Sequence, residues 1–486
     1  MICAERLGWR IRGAAKTSGG NMRSMRWIGS RTLAVAVVMA AFAVAAPGAG
    51  AATFSWMDGF DDPATPNPLD KVGVLKAGPP DAKRVLILLP GTSGGAGYMA
   101  PLAEEVAGKA KHWQVWAVER RENLLEDHSA ADRLKRGETT AQQMFDYYLG
   151  WVLNPAIRDH YSFPLGGPSY TRGWGMRVAV EDVRRVVQEA RKQSRHVVLG
   201  GHSLGASIAT AYATWDFGGR AGGDDLSGLI LVDGGSGPAT ISEAQATSAL
   251  QNLQSSSPWL SFGGIPAPLA GLFNIVGSAL AKADPDGPSI LQPWPLLPSF
   301  LRAPVPLTNE AAYGYAFDSE TSPPNLAAIQ VHAGRLAAEG DPRGWDQAGE
   351  ITPIQRAADM FFGTGLPGVD GTAWFHPQRL TIDAGAVGAG IANPAQPVLD
   401  VAATHGRDVG HLSIYAFGAA LGGERVVEAA ELLAGQSGIP RRELVLVDAS
   451  ATYAHIDPIS AHPQNDFVDN LLPFLKKTKK VKQHQR

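Results

Sequence analysis

Ser203 stands in the segment Gly201-His202-Ser203-Leu204-Gly205, which matches the pattern G-x-S-x-G. A serine hydroxyl attacks a carbonyl carbon only when a base removes its proton and N–H donors stabilise the resulting oxyanion. The pattern suits this chemistry where a strand turns sharply into a helix, because the turn presents the serine and the next N–H faces the oxyanion. Around Ser203, "HVVLG" predicts a strand and "LGASIATAYATW" predicts an alanine-rich helix.

A second match, Gly91-Thr92-Ser93-Gly94-Gly95, surrounds Ser93. With 56 glycines in 486 residues, such a pattern also arises by chance. Ser93 follows a predicted strand, but the glycine-rich residues 94–97 would make a poor first helical turn, since glycine is a weak helix former. The sequence therefore favours Ser203 as the nucleophile.

The segment "GGHSLGAS" in this context, together with the order of the strands, resembles the α/β-hydrolase superfamily in its lipase/esterase branch. The resemblance covers roughly residues 71–235 and 397–475. It implies an α/β-hydrolase fold and a catalytic triad in the chain order serine, acid, histidine. It also implies that the loop "PGTSGG" supplies an oxyanion donor, for which we expect the Thr92 N–H, with the Leu204 N–H as its partner.

The resemblance also implies a base and an acid. His455 follows the last predicted strand, "RELVLVDAS", where the family's base lies. For the acid, Asp408 follows the predicted penultimate strand "QPVLDVAAT", the commonest acid position, although the loop is longer than usual. Asp233 ends the strand "GLILVDGG", after which some lipases place their acid. We expect Asp408 to be the acid and keep Asp233 as the alternative.

The elements that must position these residues are short apolar runs that alternate with helical patterns. Such runs are typical of strands in a mostly parallel, doubly wound sheet that is covered on both faces. A segment rich in Pro, Trp and Phe, about residues 236–395, separates two of the strands, and it is too long for a structureless loop. We interpret it as a large inserted cap or lid. The predicted domains are listed here in chain order: the core's first part at 52–235 with an insertion at about 123–172, the cap at 236–395, the core's second part at 396–475, and a basic tail at 476–486.

Residues 1–51 have the pattern of a secretory signal peptide. Basic residues precede the apolar run Leu33–Ala46, and Ala49 and Ala51 are placed for cleavage. The run is shorter than the roughly 20 residues of a membrane span, so we expect no stable span after signal removal. The single cysteine, Cys3, precedes the predicted cleavage site, so a mature chain would have no disulfide. We therefore expect a secreted or periplasmic protein.

Charge and motifs argue against several function classes. A net charge of -3 does not predict nucleic-acid binding. Neither a dinucleotide fingerprint nor a phosphate-binding loop occurs, so we expect no cofactor. His405, Asp408 and His411 lack the spacing of a metal site, so we expect no metal.

The sequence predicts an exported serine hydrolase that cleaves small-molecule or lipid-like carboxylic esters, with a hydrophobic group in the substrate. An acyltransferase or perhydrolase with the same triad is the main alternative. A non-catalytic binding protein on a hydrolase scaffold is a further one. The sequence does not specify the oligomeric state.

Overall fold

The computed structural model describes residues 52–162, 166–237, 239–262, 264–363 and 365–479. The predicted signal peptide, residues 1–51, and residues 480–486 of the basic tail lie outside the described residues. The strands, in chain order, are β1 (Thr53–Asp58), β2 (Lys71–Ala77), β3 (Arg84–Leu89), β4 (Trp113–Glu119), β5 (Val197–His202), β6 (Gly228–Val232), β7 (Ser261–Phe262), β8 (Ile265–Pro266), β9 (Arg335–Gly340), β10 (Arg343–Asp346), β11 (Ser413–Gly418) and β12 (Leu444–Asp448).

The helices lie between these strands and after the last one. In chain order they are α1 (Ala96–Lys109), α2 (Ser129–Lys135), α3 (Ala141–Tyr148), α4 (Met176–Gln193), α5 (Leu204–Thr214), α6 (Glu243–Ser255), α7 (Ala267–Ala283), α8 (Asn309–Phe317), α9 (Ile354–Phe362), α10 (Gln378–Ala384), α11 (Ala395–Leu399), α12 (Glu424–Ser437), α13 (Asp457–Ser460) and α14 (Asp466–Lys477). Within the described ranges, each helix is too short or too polar to cross a membrane.

Eight strands form one sheet in the order β1-β2-β4-β3-β5-β6-β11-β12. Strand β2 runs antiparallel to both of its neighbours, β1 and β4, and the remaining pairs are parallel. Every residue of β5 and of β6 is buried, as expected where helices cover both faces of a parallel sheet. The predicted mostly parallel, doubly wound sheet is confirmed.

Two apolar layers enclose this sheet. On one face, Val187 of α4, Ala209 of α5 and Leu433 of α12 pack against the strands. On the other face, Leu102 of α1 and Phe361 of α9 pack against them. Helix α9 lies in the segment interpreted as a cap, so part of that segment contributes to the core of the sheet.

The prediction of a strand at "QPVLDVAAT" is wrong. Residues Ala395–Leu399 form helix α11, and Asp400 ends it in the left-handed conformation with φ 56°. Pro397 has no N–H to donate, which disfavours a central strand, and a short apolar run does not by itself distinguish strand from helix. The strand that lies between β6 and β12 is β11, "SIYAFG", which the sequence analysis does not predict.

Residues 233–412 separate β6 from β11 and contain helices α6 to α11. Part of this segment forms an apolar cluster of its own with α3, in which the indoles of Trp259, Trp294 and Trp374 are buried. Leu380 of α10 instead joins the cluster around α4. The insertion therefore packs partly on itself and partly on the sheet's helices, and its predicted limits, 236 and 395, stay predictions.

Arg121 connects three parts of the core just after β4. Its guanidinium is 2% exposed and lies 2.6 Å from a carboxylate oxygen of Asp70, before β2, and 2.6 Å from one of Asp182, on α4. It also donates a hydrogen bond to the Phe60 carbonyl. Removing one member of a buried ion pair leaves a charge without compensation in a medium of low dielectric constant, which is costly.

We expect Arg121→Ala to lower the free energy of unfolding by about 3–5 kcal/mol, because two buried carboxylates lose their counter-ion. Urea denaturation of the purified protein measures this quantity. Lys192→Ala, which breaks the exposed pair with Glu189, is the matched control and should cost less than about 1 kcal/mol. Equal losses in the two variants would contradict the assigned role of Arg121.

Candidate active site

Ser203 lies at the turn between the last residue of β5 and the first residue of α5. Its backbone angles are φ 55° and ψ −124°, a region that residues other than glycine rarely adopt. The Ser203 N–H donates to the Val232 carbonyl at 2.9 Å, which fixes the turn to the end of β6. A strained serine between a strand and a helix is typical of a nucleophile elbow.

The two glycines of the motif are required by close backbone contacts. A Cβ on Gly201 would lie 2.1 Å from the carbonyl carbon of Gly205. A Cβ on Gly205 would lie 2.2 Å from the carbonyl oxygen of Leu89, at the end of β3. The turn at Ser203 therefore accepts only glycine at these two positions. At Ser93, by contrast, the helix begins only at Ala96.

His455 and Asp233 form a buried pair. His455 lies in the loop after β12, and its Nδ1 is 2.5 Å from Oδ2 of Asp233, directly after β6. The side chains are 1% and 0% exposed. An ionised carboxylate only accepts hydrogen bonds, so Nδ1 carries the proton and Nε2 is left as the basic atom. This orientation is the one that a general base next to a serine requires.

The Asp233 carboxylate is stabilised as an anion by the turn after β11. Its oxygens accept hydrogen bonds from the N–H groups of Ala419 at 2.6 Å, Gly422 at 2.8 Å and Leu421 at 3.2 Å. Burial acts to raise the pKa of Asp233, but the hydrogen bonds from His455 and the Ala419 amide outweigh it, and the pKa lies below its ordinary value. Asp233 is therefore ionised at neutral pH and can stabilise a positive charge on His455.

Asp408, the acid that the sequence analysis favours, lies elsewhere. It precedes β11, at the amino end of the strand, and its side chain is 59% exposed and 2.6 Å from His405 Nδ1. The preference depended on the strand wrongly predicted at residues 396–404. In the observed sheet, β5 and β6 are adjacent and parallel. Asp233 directly follows β6, at the same end of the sheet at which Ser203 directly follows β5. The structure thus brings the alternative acid, and not Asp408, to His455.

His202, within the motif, connects the elbow to the loop of the base. Its Nε2 lies 2.8 Å from the carbonyl oxygen of His455, and its Nδ1 lies 2.7 Å from the Tyr98 hydroxyl. Because a carbonyl only accepts, Nε2 is the donor and Nδ1 accepts from Tyr98. Burial and the neighbouring His455 lower the pKa of His202 to about 3, so its ring is neutral. The sequence analysis did not assign a role to either residue.

The loop "PGTSGG", the predicted oxyanion loop, lies against Ser203. The Gly94 N–H donates to the Gly91 carbonyl at 3.1 Å, and a Cβ on Gly91 would lie 3.1 Å from the Cβ of Ser203. Thr92 is the second residue of this turn, so its N–H takes no part in the turn's own hydrogen bond. Leu204 is the first residue of α5, and its N–H is one of the helix's unused donors. Both predicted donors therefore lie next to the elbow.

Arg120 and His376 hold this loop in place, and the sequence analysis did not find them. Arg120 donates to the carbonyls of Pro90 at 3.3 Å and Gly91 at 3.2 Å. The Ser93 N–H donates to His376 Nδ1 at 3.3 Å. Burial, with the charge of Arg120 as a smaller cause, keeps the pKa of His376 well below its ordinary value, so the ring accepts as a neutral imidazole. In the sequence, the position of Arg120 directly after β4 is a weak indication of a role near the site. Nothing in the sequence indicates such a role for His376.

A cavity of about 170 Å³ begins at the oxyanion loop and extends into the inserted segment. Thr92, Ser93 and Gly94 line one side, and Ile456, which follows the candidate base, lines another. The remaining lining is mainly apolar and comes largely from α7 and α8 and the residues around them. The cavity can therefore hold an apolar group next to the predicted oxyanion loop.

The sheet has a mostly parallel strand order, and a sharp turn at Ser203 joins β5 to α5. The chain has the α/β-hydrolase fold. No family model matches the sequence, and a search of curated proteins gives no match.

Solved structures with a similar fold include enzymes of several kinds. They are a candidate lipase from Sulfolobus solfataricus (14% identity, 88% of this chain and 93% of that chain, TM-score 0.42), a thermostable carboxyl esterase from Bacillus coagulans (13%, 88% and 98%, 0.39) and the thioesterase domain of the curacin biosynthetic pathway (14%, 88% and 100%, 0.35).

The two candidate acids can be separated by the reaction of Ser203 with a fluorophosphonate probe. We expect Asp233→Asn to slow labelling by a factor on the order of 10⁴, because the amide no longer holds the required tautomer of His455. Asp408→Asn is the matched control and should be labelled at nearly the rate of the unsubstituted protein. A large loss in Asp408→Asn with none in Asp233→Asn would reverse the assignment.

Proposed function

We propose that this protein is an exported serine hydrolase that cleaves carboxylic esters with a hydrophobic group. The observation that carries the proposal is the buried His455–Asp233 pair beside the strained turn at Ser203. Export is proposed from the signal-peptide pattern of residues 1–51.

In the proposed reaction, His455 Nε2 removes the proton of the Ser203 hydroxyl, and the oxygen attacks the ester carbonyl carbon. The Thr92 and Leu204 N–H groups stabilise the oxyanion of the tetrahedral intermediate, at roughly 3 kcal/mol for each donor. His455 then protonates the leaving alcohol, which leaves an acyl-enzyme on Ser203. Water activated by the same imidazole releases the acid and restores the serine.

Asp233 acts through His455 in this scheme. The imidazole becomes positively charged in each half of the reaction, and an ionised carboxylate at 2.5 Å stabilises that charge. The amides after β11 keep Asp233 ionised, so it accepts no proton itself. The neutral ring of His202, at 4.4 Å between ring centroids, adds no competing positive charge.

The apolar cavity supports a hydrophobic acyl or alcohol group in the substrate. Side chains such as Phe273, Leu280, Tyr313 and Phe317 surround it, and their contact with an apolar chain removes that chain from water. Its polar lining is sparse and lies partly at the oxyanion loop. This arrangement favours an uncharged aliphatic or aromatic group.

Ser203→Ala should abolish cleavage of p-nitrophenyl esters by the purified protein, because the variant has no hydroxyl to form the acyl-enzyme. Ser93→Ala, at the second match to the motif, should retain most of the activity. Initial rates with saturating ester measure both. Comparable losses in the two variants would show that the nucleophile is wrongly assigned. Transfer of the acyl group to an added alcohol in preference to water would favour the acyltransferase alternative.

Ala316→Phe should change the preference for acyl length, because Ala316 on α8 lines the cavity and a phenyl ring would occupy part of it. We expect kcat/KM to fall by roughly tenfold or more for long acyl chains and to change little for acetate. A series of p-nitrophenyl esters of increasing length measures the effect. Ala244→Phe, on the exposed side of α6, is the control. An equal loss for all lengths in Ala316→Phe would contradict the role of the cavity.

A further inference from the structure

A cluster of one histidine and two carboxylates includes Asp370, whose segment hydrogen-bonds the residues around the predicted oxyanion loop. His128 Nε2 is 3.0 Å from Oε2 of Glu126 and 3.4 Å from Oδ2 of Asp370. The Glu126 and Asp370 side chains are fully buried, and that of His128 is 11% exposed. One donor atom from each residue lies within 4.8 Å of the other two.

Ion pairing of His128 with the two carboxylates brings these atoms together, but the hydrogen-bond geometry between them is poor. Glu126 Oε1 accepts from the backbone N–H of Trp374 at 2.7 Å, and Asp370 Oδ1 accepts from the Thr372 N–H at 2.7 Å. Asp370 Oδ2 accepts from the Trp374 indole N–H at 3.2 Å, and its second lone pair is left for a metal. Within the described parts of the chain, however, neither Glu126 Oε2 nor His128 Nε2 has a hydrogen-bond partner of acceptable geometry. A buried carboxylate oxygen that has an ion-pair contact but no well-directed hydrogen bond still has lone pairs for a further partner.

We propose that Glu126, His128 and Asp370 bind one divalent transition-metal ion, with Zn²⁺ favoured by the donor set. Zinc binds imidazole nitrogen and carboxylate oxygen at about 2.0–2.2 Å in a tetrahedron, so two such donors lie roughly 3.4 Å apart. The separations of 3.0 and 3.4 Å fit that spacing. An imidazole among the ligands favours zinc over calcium or magnesium, which prefer oxygen alone. A fourth position would be available to water.

The local charge also favours a cation at this point. Glu119, at the end of β4, is buried nearby, and burial, with the charge of Asp370 as a smaller cause, raises its pKa to about 8. Lys135 is the nearby ammonium, but its Nζ donates to the Val369 carbonyl at 2.7 Å and pairs with Asp132 at 3.5 Å. Buried carboxylates require compensation. A protonated His128 would supply one positive charge, and a dication bound between Glu126 and Asp370 would supply two.

The exposed cluster at His405 shows why residue type alone is insufficient. His405 also lies near two carboxylates, but Asp408 is 2.6 Å from Nδ1 and Asp216 is 3.4 Å from Nε2. The two nitrogens of one ring face different directions, so these carboxylates cannot share a single ion with the histidine. At His128, both carboxylates approach the same nitrogen. His405, with two aspartates in place of a glutamate and an aspartate, is therefore a control of similar composition.

A bound metal would stabilise the segment that hydrogen-bonds the predicted oxyanion loop. Asp370 begins the segment whose backbone hydrogen-bonds that loop: the Asp370 carbonyl accepts from the Gly97 N–H at 3.0 Å, and the Ala373 N–H donates to the Ser93 carbonyl at 2.8 Å. Glu126 and His128 lie in the chain that follows β4. A shared ion would connect these two parts of the sequence, and its role would be structural.

The test is zinc binding by the purified protein after treatment with a chelator. Isothermal titration with zinc chloride should give one ion per chain, and elemental analysis after dialysis should find it retained. Bound zinc should also raise the midpoint of thermal unfolding. His128→Gln should weaken binding by more than about 100-fold, since even outer partners of a metal contribute 10–100-fold. His405→Gln should bind zinc as the unsubstituted protein does.

These measurements do not depend on ester cleavage, so the site can be tested whether or not the proposed function is correct. Circular dichroism establishes whether His128→Gln is folded, and Glu126→Gln serves as a second variant. If both fail to fold, Co²⁺ added to the unsubstituted protein should give the visible absorption of a four-coordinate ion with nitrogen and oxygen ligands. The proposal is overturned if the unsubstituted protein retains no zinc and shows no such cobalt spectrum, or if a folded His128→Gln variant binds zinc unchanged.

Discussion

The hydrogen bond between His455 and Asp233 is the interaction on which the candidate active site depends. It joins a loop near the end of the chain to the end of β6, and both side chains are removed from water. Such a pair is stable only where its charge is compensated, and the amides of the turn after β11 supply that compensation. The adjacency of β6 and β11 in the sheet is therefore a condition for an ionised acid beside the imidazole.

The oxyanion loop depends on the rest of the fold in a similar way. Arg120, from the end of β4, holds it on one side, and the segment around His376, from the long insertion, holds it on the other. The insertion thus has three roles. It contributes α9 to the core of the sheet, lines the apolar cavity and supports the loop that lies beside Ser203. A segment that only covered the site would leave the loop without this support.

Local sequence patterns predicted those strands whose apolar composition is enough to indicate a buried strand. The apolar residues of β3 to β6 are buried, and their composition predicts this burial. The failure at residues 396–404 has the opposite cause. The short run there fits a strand by composition, yet it contains a proline and forms α11. The strand "SIYAFG" was not predicted. Short segments are decided by the surfaces against which they pack, which the sequence does not display.

The sequence by itself determined the turn at Ser203, because two glycines and a serine between a strand and a helix satisfy a requirement that is local. It also placed His455 and left two possible acids. Only the tertiary structure shows which of the two lies beside His455, because this depends on the order of the strands and on the end of its strand at which each carboxylate lies. The cluster of Glu126, His128 and Asp370 likewise depends on the tertiary structure. Asp370 is far in the chain from the other two residues, and it reaches them because the insertion packs against the loop that follows β4.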